Sequence, residues 1–228
     1  KIVGVFLRLF EEFEDLPVYL APDVSRSMYY GDQPRAHAGL RAAFALAAAA
    51  LNHHDSVGLF PFADELRVAL KPRSGRVRMM RMAEELAAQQ PGGATDFAKS
   101  LGKFARLGMR PGLLIVVSDF FDPGGLEMVR ESLARQRHRL LLVQLTRKTD
   151  RDPDLSGDLL LRDCESGQEH DVSVTTEVLA SYRRAYDSFE QGLHKLALSQ
   201  QAGLVRVDVD EPVVPQLSAL FESGAFVV

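Results

Sequence analysis

Apolar runs of four to eight residues, each followed by a stretch of helical pattern, recur through most of this chain, and that alternation restricts its fold more than any other feature. Runs of Val, Ile and Leu without polar alternation need burial on both faces, which a mostly parallel sheet covered by helices supplies. The strand candidates are Val18–Ala21, Val57–Phe62, Leu113–Val117, Leu140–Leu145 and Leu204–Val209. Between them, Ala36–Asn52, Arg76–Gln90, Asp96–Leu107 and Leu126–Gln136 have helical spacing, and Val214–Phe221 closes the chain as a helix. Leu66–Leu70 follows Phe62 after only Ala63, Asp64 and Glu65, too short a link for a parallel crossover, so we expect an antiparallel edge strand there.

Asp158–Val174 breaks the rhythm. Leu159–Arg162 and Glu169–Val174 flank Glu165, Ser166 and Gly167 as the arms of a β-hairpin, an insertion over 158–174. Thr176–Gln201 then sets Leu179, Tyr182, Tyr186, Phe189, Leu193 and Leu196 at spacings of three and four, one apolar stripe on a long amphipathic helix. The expected fold class is therefore α/β: a doubly wound, mostly parallel sheet with an antiparallel edge strand and a small hairpin insertion, in a single domain over 1–228.

The chain has 228 residues, 46 % of them hydrophobic, enough for one substantial core. Its net charge of −4 disfavours nucleic acid as a partner. Cys164 is the single cysteine, which excludes an intramolecular disulfide and a paired-cysteine zinc site. The alanine-rich run Ala42–Leu51 falls far short of the roughly 20 residues of a membrane span, so no span is expected in this chain. Lys1–Phe10 runs into Glu11, Glu12, Glu14 and Asp15 with no small-residue cleavage site, so it does not read as a signal peptide. The absence of an initial methionine suggests an upstream region. A cytoplasmic location is expected, with membrane anchoring of the parent protein left to that region.

In doubly wound sheets, ligands bind beyond the carboxyl ends of the strands, so the residues after each apolar run matter most. Asp23, Ser25 and Ser27 follow the first run, Ser118 and Asp119 the Leu113 run, and the glycine-rich turn Pro91–Thr95 ends in Thr95 and Asp96. Two carboxylates and three hydroxyls (Asp23, Asp119, Ser25, Ser27 and Thr95) form an all-oxygen set. Such a set suits a hard cation, magnesium, manganese or calcium, and not zinc. In D-x-S-x-S, alternate residues of a tight loop turn their oxygens toward one point.

DVSRSM after a strand, GGATDF near the middle and VVSDF after a later strand together resemble the metal-ion-dependent adhesion site of von Willebrand factor A domains. More narrowly, they resemble the bacterial family called domain of unknown function fifty-eight, often encoded beside MoxR-type AAA ATPases. The resemblance spans about Glu11 to Val209. It implies that Ser25, Ser27 and Thr95 touch the metal while Asp23 and Asp119 act mainly through bound water. One position then stays open for an acidic residue of a protein partner, for which a MoxR-type AAA ATPase is a candidate. Few charged ligands leave the ion net positive, which favours capture of a carboxylate. Pro22 stands where the family usually has a hydrophobic residue, so either the strand ends at Ala21 or a bulge sits beside the site. Family members also tend to carry a longer upstream region, often with membrane spans.

Each signal has a plainer counterpart. Aspartate and serine make turns by bonding their own backbone, and Thr95 can serve as N-cap of the helix that starts at Asp96. His53 and His54 sit at a helix end, where they suit the dipole. Lys71, Arg73, Arg76, Arg78 and Arg81 form a basic run expected to be a solvated face, and Met79, Met80 and Met82 are expected to pack in or beside the core. Cys164 has no activating base nearby in sequence. Two rival functions come from the same loop. A magnesium-dependent phosphohydrolase would use Asp23 as nucleophile, but Ser25 stands where such enzymes want a second acid. A nucleotide-binding domain would need a G-x-G-x-x-G loop after the first strand, and there is none. The expectation is a metal-dependent protein-binding module and not an enzyme.

Overall fold

The computed structural model describes residues 16–222. Lys1–Phe10, considered above as a leader, lies outside them. Six strands form the main sheet: β1 (Pro17–Pro22), β2 (Ser56–Leu59), β3 (Leu70–Arg73), β4 (Leu113–Ser118), β5 (Arg139–Thr146) and β8 (Gly203–Asp208), in the order β3-β2-β1-β4-β5-β8. All neighbours pair parallel except β2 and β3. β6 (Gly157–Arg162) and β7 (Glu169–Val174) form a separate antiparallel hairpin in register from Gly157↔Val174 to Arg162↔Glu169.

Residue alternation along the central strands divides the core into two layers, as the period of two dictates. Val18, Leu20, Ile115, Val117, Leu141 and Val143 face the layer shared with α1 (Arg35–Asn52), α2 (Arg76–Ala87) and α7 (Val213–Glu222). Tyr19, Ala21, Leu114, Val116, Leu140 and Leu142 face the layer shared with α3 (Phe97–Arg106), α4 (Gly125–Ala134) and α6 (Thr176–Ser199). The alanines of α1 let it lie close on the sheet, and Gly39 marks the nearest approach: a Cβ there would stand 2.9 Å from Leu145 Cδ1. A short helix, α5 (Lys148–Arg151), follows β5.

The edge strand lies later than expected. It occupies Leu70–Arg73, with Val57↔Arg73 and Leu59↔Leu70 as its pairs across an irregularity, whereas Leu66 makes only an isolated bridge to Phe62. Pro61 explains the gap: its carbonyl accepts from Arg67 N, but it has no N–H to return, so a continuous ladder cannot form over 61–69.

Pro22 neither ends the strand early nor sits at a bulge. It is paired with Val117 as the last residue of β1. Its carbonyl accepts from Phe62 N on the β2 side, past the last β1–β2 pair, Leu20↔Leu59, so the missing N–H falls where the regular ladder is already over.

The stripe on α6 is only partly buried. Leu193 and Leu196 are in the core, while Tyr182 is 43 % exposed. The first half of the helix lies over α5, tied there by Tyr182 Oη donating to the Asp150 carbonyl and by the Arg151–Asp187 ion pair. The basic run is also not uniformly solvated. Arg78 is buried, its Nε donating to the Val57 carbonyl at 2.9 Å and its Nη2 to the Lys71 carbonyl, which latches α2 to the sheet edge. Of the methionines, Met82 is fully buried and Met80 is 67 % exposed.

Candidate functional site

The strand order reverses direction at β1: the chain passes from β1 out to β2 and β3, and later returns to place β4 on the other side. The carboxyl ends of β1 and β4 therefore flank the switch point, where helices leave toward opposite faces and a crevice opens. Three loops meet there. The loop after β1 carries Asp23, Ser25 and Ser27, the last opening a 3₁₀ turn over Ser27–Tyr29. The loop before α3 carries Thr95. The loop after β4 carries Asp119.

Backbone bonds lock the first two loops together. Gly92 N donates to the Val24 carbonyl at 2.6 Å and Arg26 N to the Gly93 carbonyl at 2.9 Å. Gly92 is required by close approach, since a Cβ there would come within 2.6 Å of Ala63 Cβ and 3.2 Å of Val24 O. Asp96, and not Thr95, is the N-cap of α3: its side chain accepts from Lys99 N at 2.8 Å. With the cap supplied by its neighbour, the Thr95 hydroxyl is free to face the crevice.

Asp23 is buried, with both carboxylate oxygens engaged: Oδ1 accepts from Ser25 N at 2.9 Å and Oδ2 from Ser118 Oγ at 2.6 Å. Burial, reinforced by the charge of Asp119, pushes its carboxyl up to about 7, and the bonds from Ser118 and Ser25 offset this only in part. Ser25 Oγ and Ser27 Oγ lie 3.1 Å apart. Ser27 Oγ donates to Glu165 Oε1 at 2.7 Å, and Thr95 Oγ1 donates to the same oxygen at 2.9 Å. Thr95 N donates to the other oxygen, Oε2, at 3.0 Å.

Asp23, Ser25, Ser27 and Thr95 are thus linked around one point. Asp119 stands beside them, near enough to act on Asp23, but its own oxygens are used elsewhere: Oδ1 accepts from Phe121 N at 3.1 Å and Oδ2 from Arg35 Nη1 at 2.9 Å. Burial raises the Asp119 carboxyl, with Arg35 the main opposing influence. Arg35 also pairs with Asp150 at the start of α5. Phe120, at φ 64° in the left-handed region, turns the chain sharply after Asp119 and places its ring in the core against Phe97.

Sequence reasoning missed Arg35 and Glu165 as members of this site. Arg35 opens α1 with no motif around it. Glu165 was legible only as a hairpin turn residue, because 70 residues separate it from Thr95.

Among the described residues, no group of three or more His, Cys, Asp or Glu side chains gathers as a metal cluster. The oxygen donors at the switch point are instead mixed: the Ser25, Ser27 and Thr95 hydroxyls, the Asp23 and Asp119 carboxylates beside them, and the Glu165 carboxylate bonded to Ser27 and Thr95. This all-oxygen set fits a hard cation that accepts neutral ligands.

The model of the family described as "Protein of unknown function DUF58" matches residues 3–192. The chain belongs to this family. Proteins similar to it include the uncharacterised proteins Rv1480 of Mycobacterium tuberculosis and Mb1516 of Mycobacterium bovis, each 27 % identical over 177 residues, covering 75 % of this chain and 55 % of theirs. This DUF58 chain thus spans about half the length of those relatives. Among solved structures, it is similar to BatB from Bacteroides thetaiotaomicron, at 16 % identity with a TM-score of 0.57 over 92 % of this chain and 97 % of that one. An aerotolerance-related membrane protein from Bacteroides fragilis gives a TM-score of 0.50 at 15 % identity, over 91 % and 97 % of the two chains. These likenesses bear on the fold: a mostly parallel α/β sheet with an antiparallel edge. No helix among the described residues is long and apolar enough to cross a membrane.

Proposed function

We propose that this DUF58 chain is a divalent-metal-dependent protein-binding module of the von Willebrand factor A kind. Magnesium is the expected ion, with manganese or calcium as substitutes. The observation that carries this reading is the convergence of Ser27 and Thr95, from loops 68 residues apart, on a single carboxylate oxygen beside Ser25 and the buried Asp23. When bound, the cation supplies a concentrated positive charge that attracts a partner's acidic side chain. Ser25, Ser27 and Thr95 offer it neutral oxygens. Asp23 is held in place by Ser118 and the Ser25 backbone, and Asp119 by Arg35 and the Phe121 backbone, so both carboxylates keep fixed positions at the rim.

The phosphohydrolase alternative asks Asp23 for a free oxygen to attack phosphorus, and both of its oxygens are buried and accepting hydrogen bonds. That arrangement supports a structural carboxylate over a nucleophile. The resemblance set out from the sequence motifs makes a MoxR-type AAA ATPase the candidate partner, in assembly or maturation of a protein complex.

Calorimetric titration with magnesium or manganese tests the site. The chain is expected to bind one ion, and Asp119→Ala to weaken binding at least tenfold while the far-ultraviolet circular dichroism stays unchanged. Unaltered binding in Asp119→Ala would overturn the assignment. A pull-down with and without chelator, comparing the two proteins, then tests the partner.

A further inference from the structure

We infer that Glu165, at the tip of the β6–β7 hairpin, is a built-in ligand that fills the carboxylate position of this site, so that an acidic partner must displace it. The inference rests on the metal-site reading above and adds its regulation.

The hairpin contacts the rim through this residue in a specific way. Ser27 Oγ, Thr95 Oγ1 and Thr95 N donate to its carboxylate at 2.7, 2.9 and 3.0 Å, and Arg26 Nη1 donates to its backbone carbonyl at 3.3 Å. Two of these donors are the hydroxyls that define the focus of the site. An acidic side chain therefore already stands where a partner's acidic side chain is required.

The turn that presents Glu165 is preorganised. Asp163 Oδ1 accepts from both Glu165 N and Ser166 N, at 2.8 and 2.7 Å, and these bonds hold the Asp163 carboxyl below its ordinary value. Asp163 N donates to the Gln168 carbonyl, and Gly167, at φ 74°, closes the loop. The arms, in contrast, are weakly anchored: Leu160 is 59 % and Leu161 40 % exposed, and the hairpin is a sheet of its own. A rigid tip on lightly packed arms can leave the site as a unit, and little apolar area is lost when it does.

Such a tethered ligand competes at a high effective concentration, set by the chain that joins it to the sheet. A free carboxylate of ordinary weak affinity loses that competition, and a partner must add contacts elsewhere to win. Phe121, 43 % exposed and stacked on Phe189 at 4.5 Å, is an apolar surface at the same rim where such contacts can form.

Manganese alone is the probe, read by water-proton relaxation and by hydrogen exchange of residues 163–168. In the wild type, manganese is expected to slow exchange in the tip, and added acetate to leave the relaxivity unchanged. Glu165→Gln keeps the size and loses the charge. It should bind manganese about tenfold more weakly, show higher relaxivity from one more bound water, and lose that excess on adding acetate. Glu165→Ala should behave likewise. If wild type and both variants bind manganese equally, with equal relaxivity and the same acetate response, the inference fails while the metal site stands. If manganese binds none of them, the site assignment itself fails, and the inference with it.

Discussion

Removing the Arg35 guanidinium while keeping its aliphatic stem, as in Arg35→Met, isolates the charge balance at the rim of the sheet. Arg35 donates to Asp119 at 2.9 Å and also pairs with Asp150, and the three side chains are only 17 %, 10 % and 12 % exposed. Breaking a pair this buried leaves two carboxylates facing each other without compensation, which costs about 3 to 5 kcal/mol. The residual exposure favours the low end, about 3 kcal/mol. For a domain of this size that corresponds to a fall in melting temperature of roughly 6 to 12 °C.

Urea denaturation of the metal-free protein at neutral pH measures the loss directly. Two controls assign it to charge. The Asp119 carboxyl already sits above its ordinary value, and losing Arg35 raises it further, so acidification protonates it and the penalty should shrink as pH falls. Asp119→Asn should shrink it too, making the double variant more stable than the sum of the single losses predicts. A loss below about 1 kcal/mol, or one that is the same in the Asp119→Asn background, would falsify the account.

The Asp23 carboxyl, raised from 3.8 to about 7, retains its proton in the metal-free protein below neutrality, and a cation must displace it. Apparent manganese affinity is therefore expected to drop about tenfold between pH 8 and pH 6, with proton release visible as a dependence on buffer ionisation heat; a flat profile contradicts the shift. For the same reason the metal-free protein should lose stability as pH rises from about 4 through about 7, a trend that Asp23→Asn weakens and that the raised Asp119 carboxyl sustains in part. At the start of α3, Asp96→Ala should cost about 1 kcal/mol in denaturant unfolding by deleting the bond from Lys99 N, while Asp96→Ser, which keeps a capping oxygen, should recover most of it; no loss in Asp96→Ala would mean that the cap is misassigned.

How much of the molecule can be read from its sequence depends on the range of the interactions involved. The runs Leu113–Val117 and Leu140–Leu145 announce buried strands because each residue must meet one helical layer or the other, a requirement written into consecutive positions. The hairpin over 158–174 is legible for the same reason: its turn chemistry is local. Asp23, Ser25, Ser27 and Asp119 stand out because they follow strand ends, where a doubly wound sheet presents its side chains at a switch point, and Thr95 because it ends a glycine-rich turn between two helices.

Tertiary structure decided the rest. The position of the edge strand turned on one absent N–H at Pro61, and the half-buried stripe of α6 on what lies beneath it, which spacing alone does not encode. Arg35 became the counter-ion of Asp119, and Glu165 reached Thr95 across 70 residues, only because the folded sheet and the inserted hairpin bring those groups within hydrogen-bond distance. Charge pairing and side-chain convergence are properties of three-dimensional proximity. A linear sequence specifies the groups that can take part, and the closing of the fold determines which of them meet.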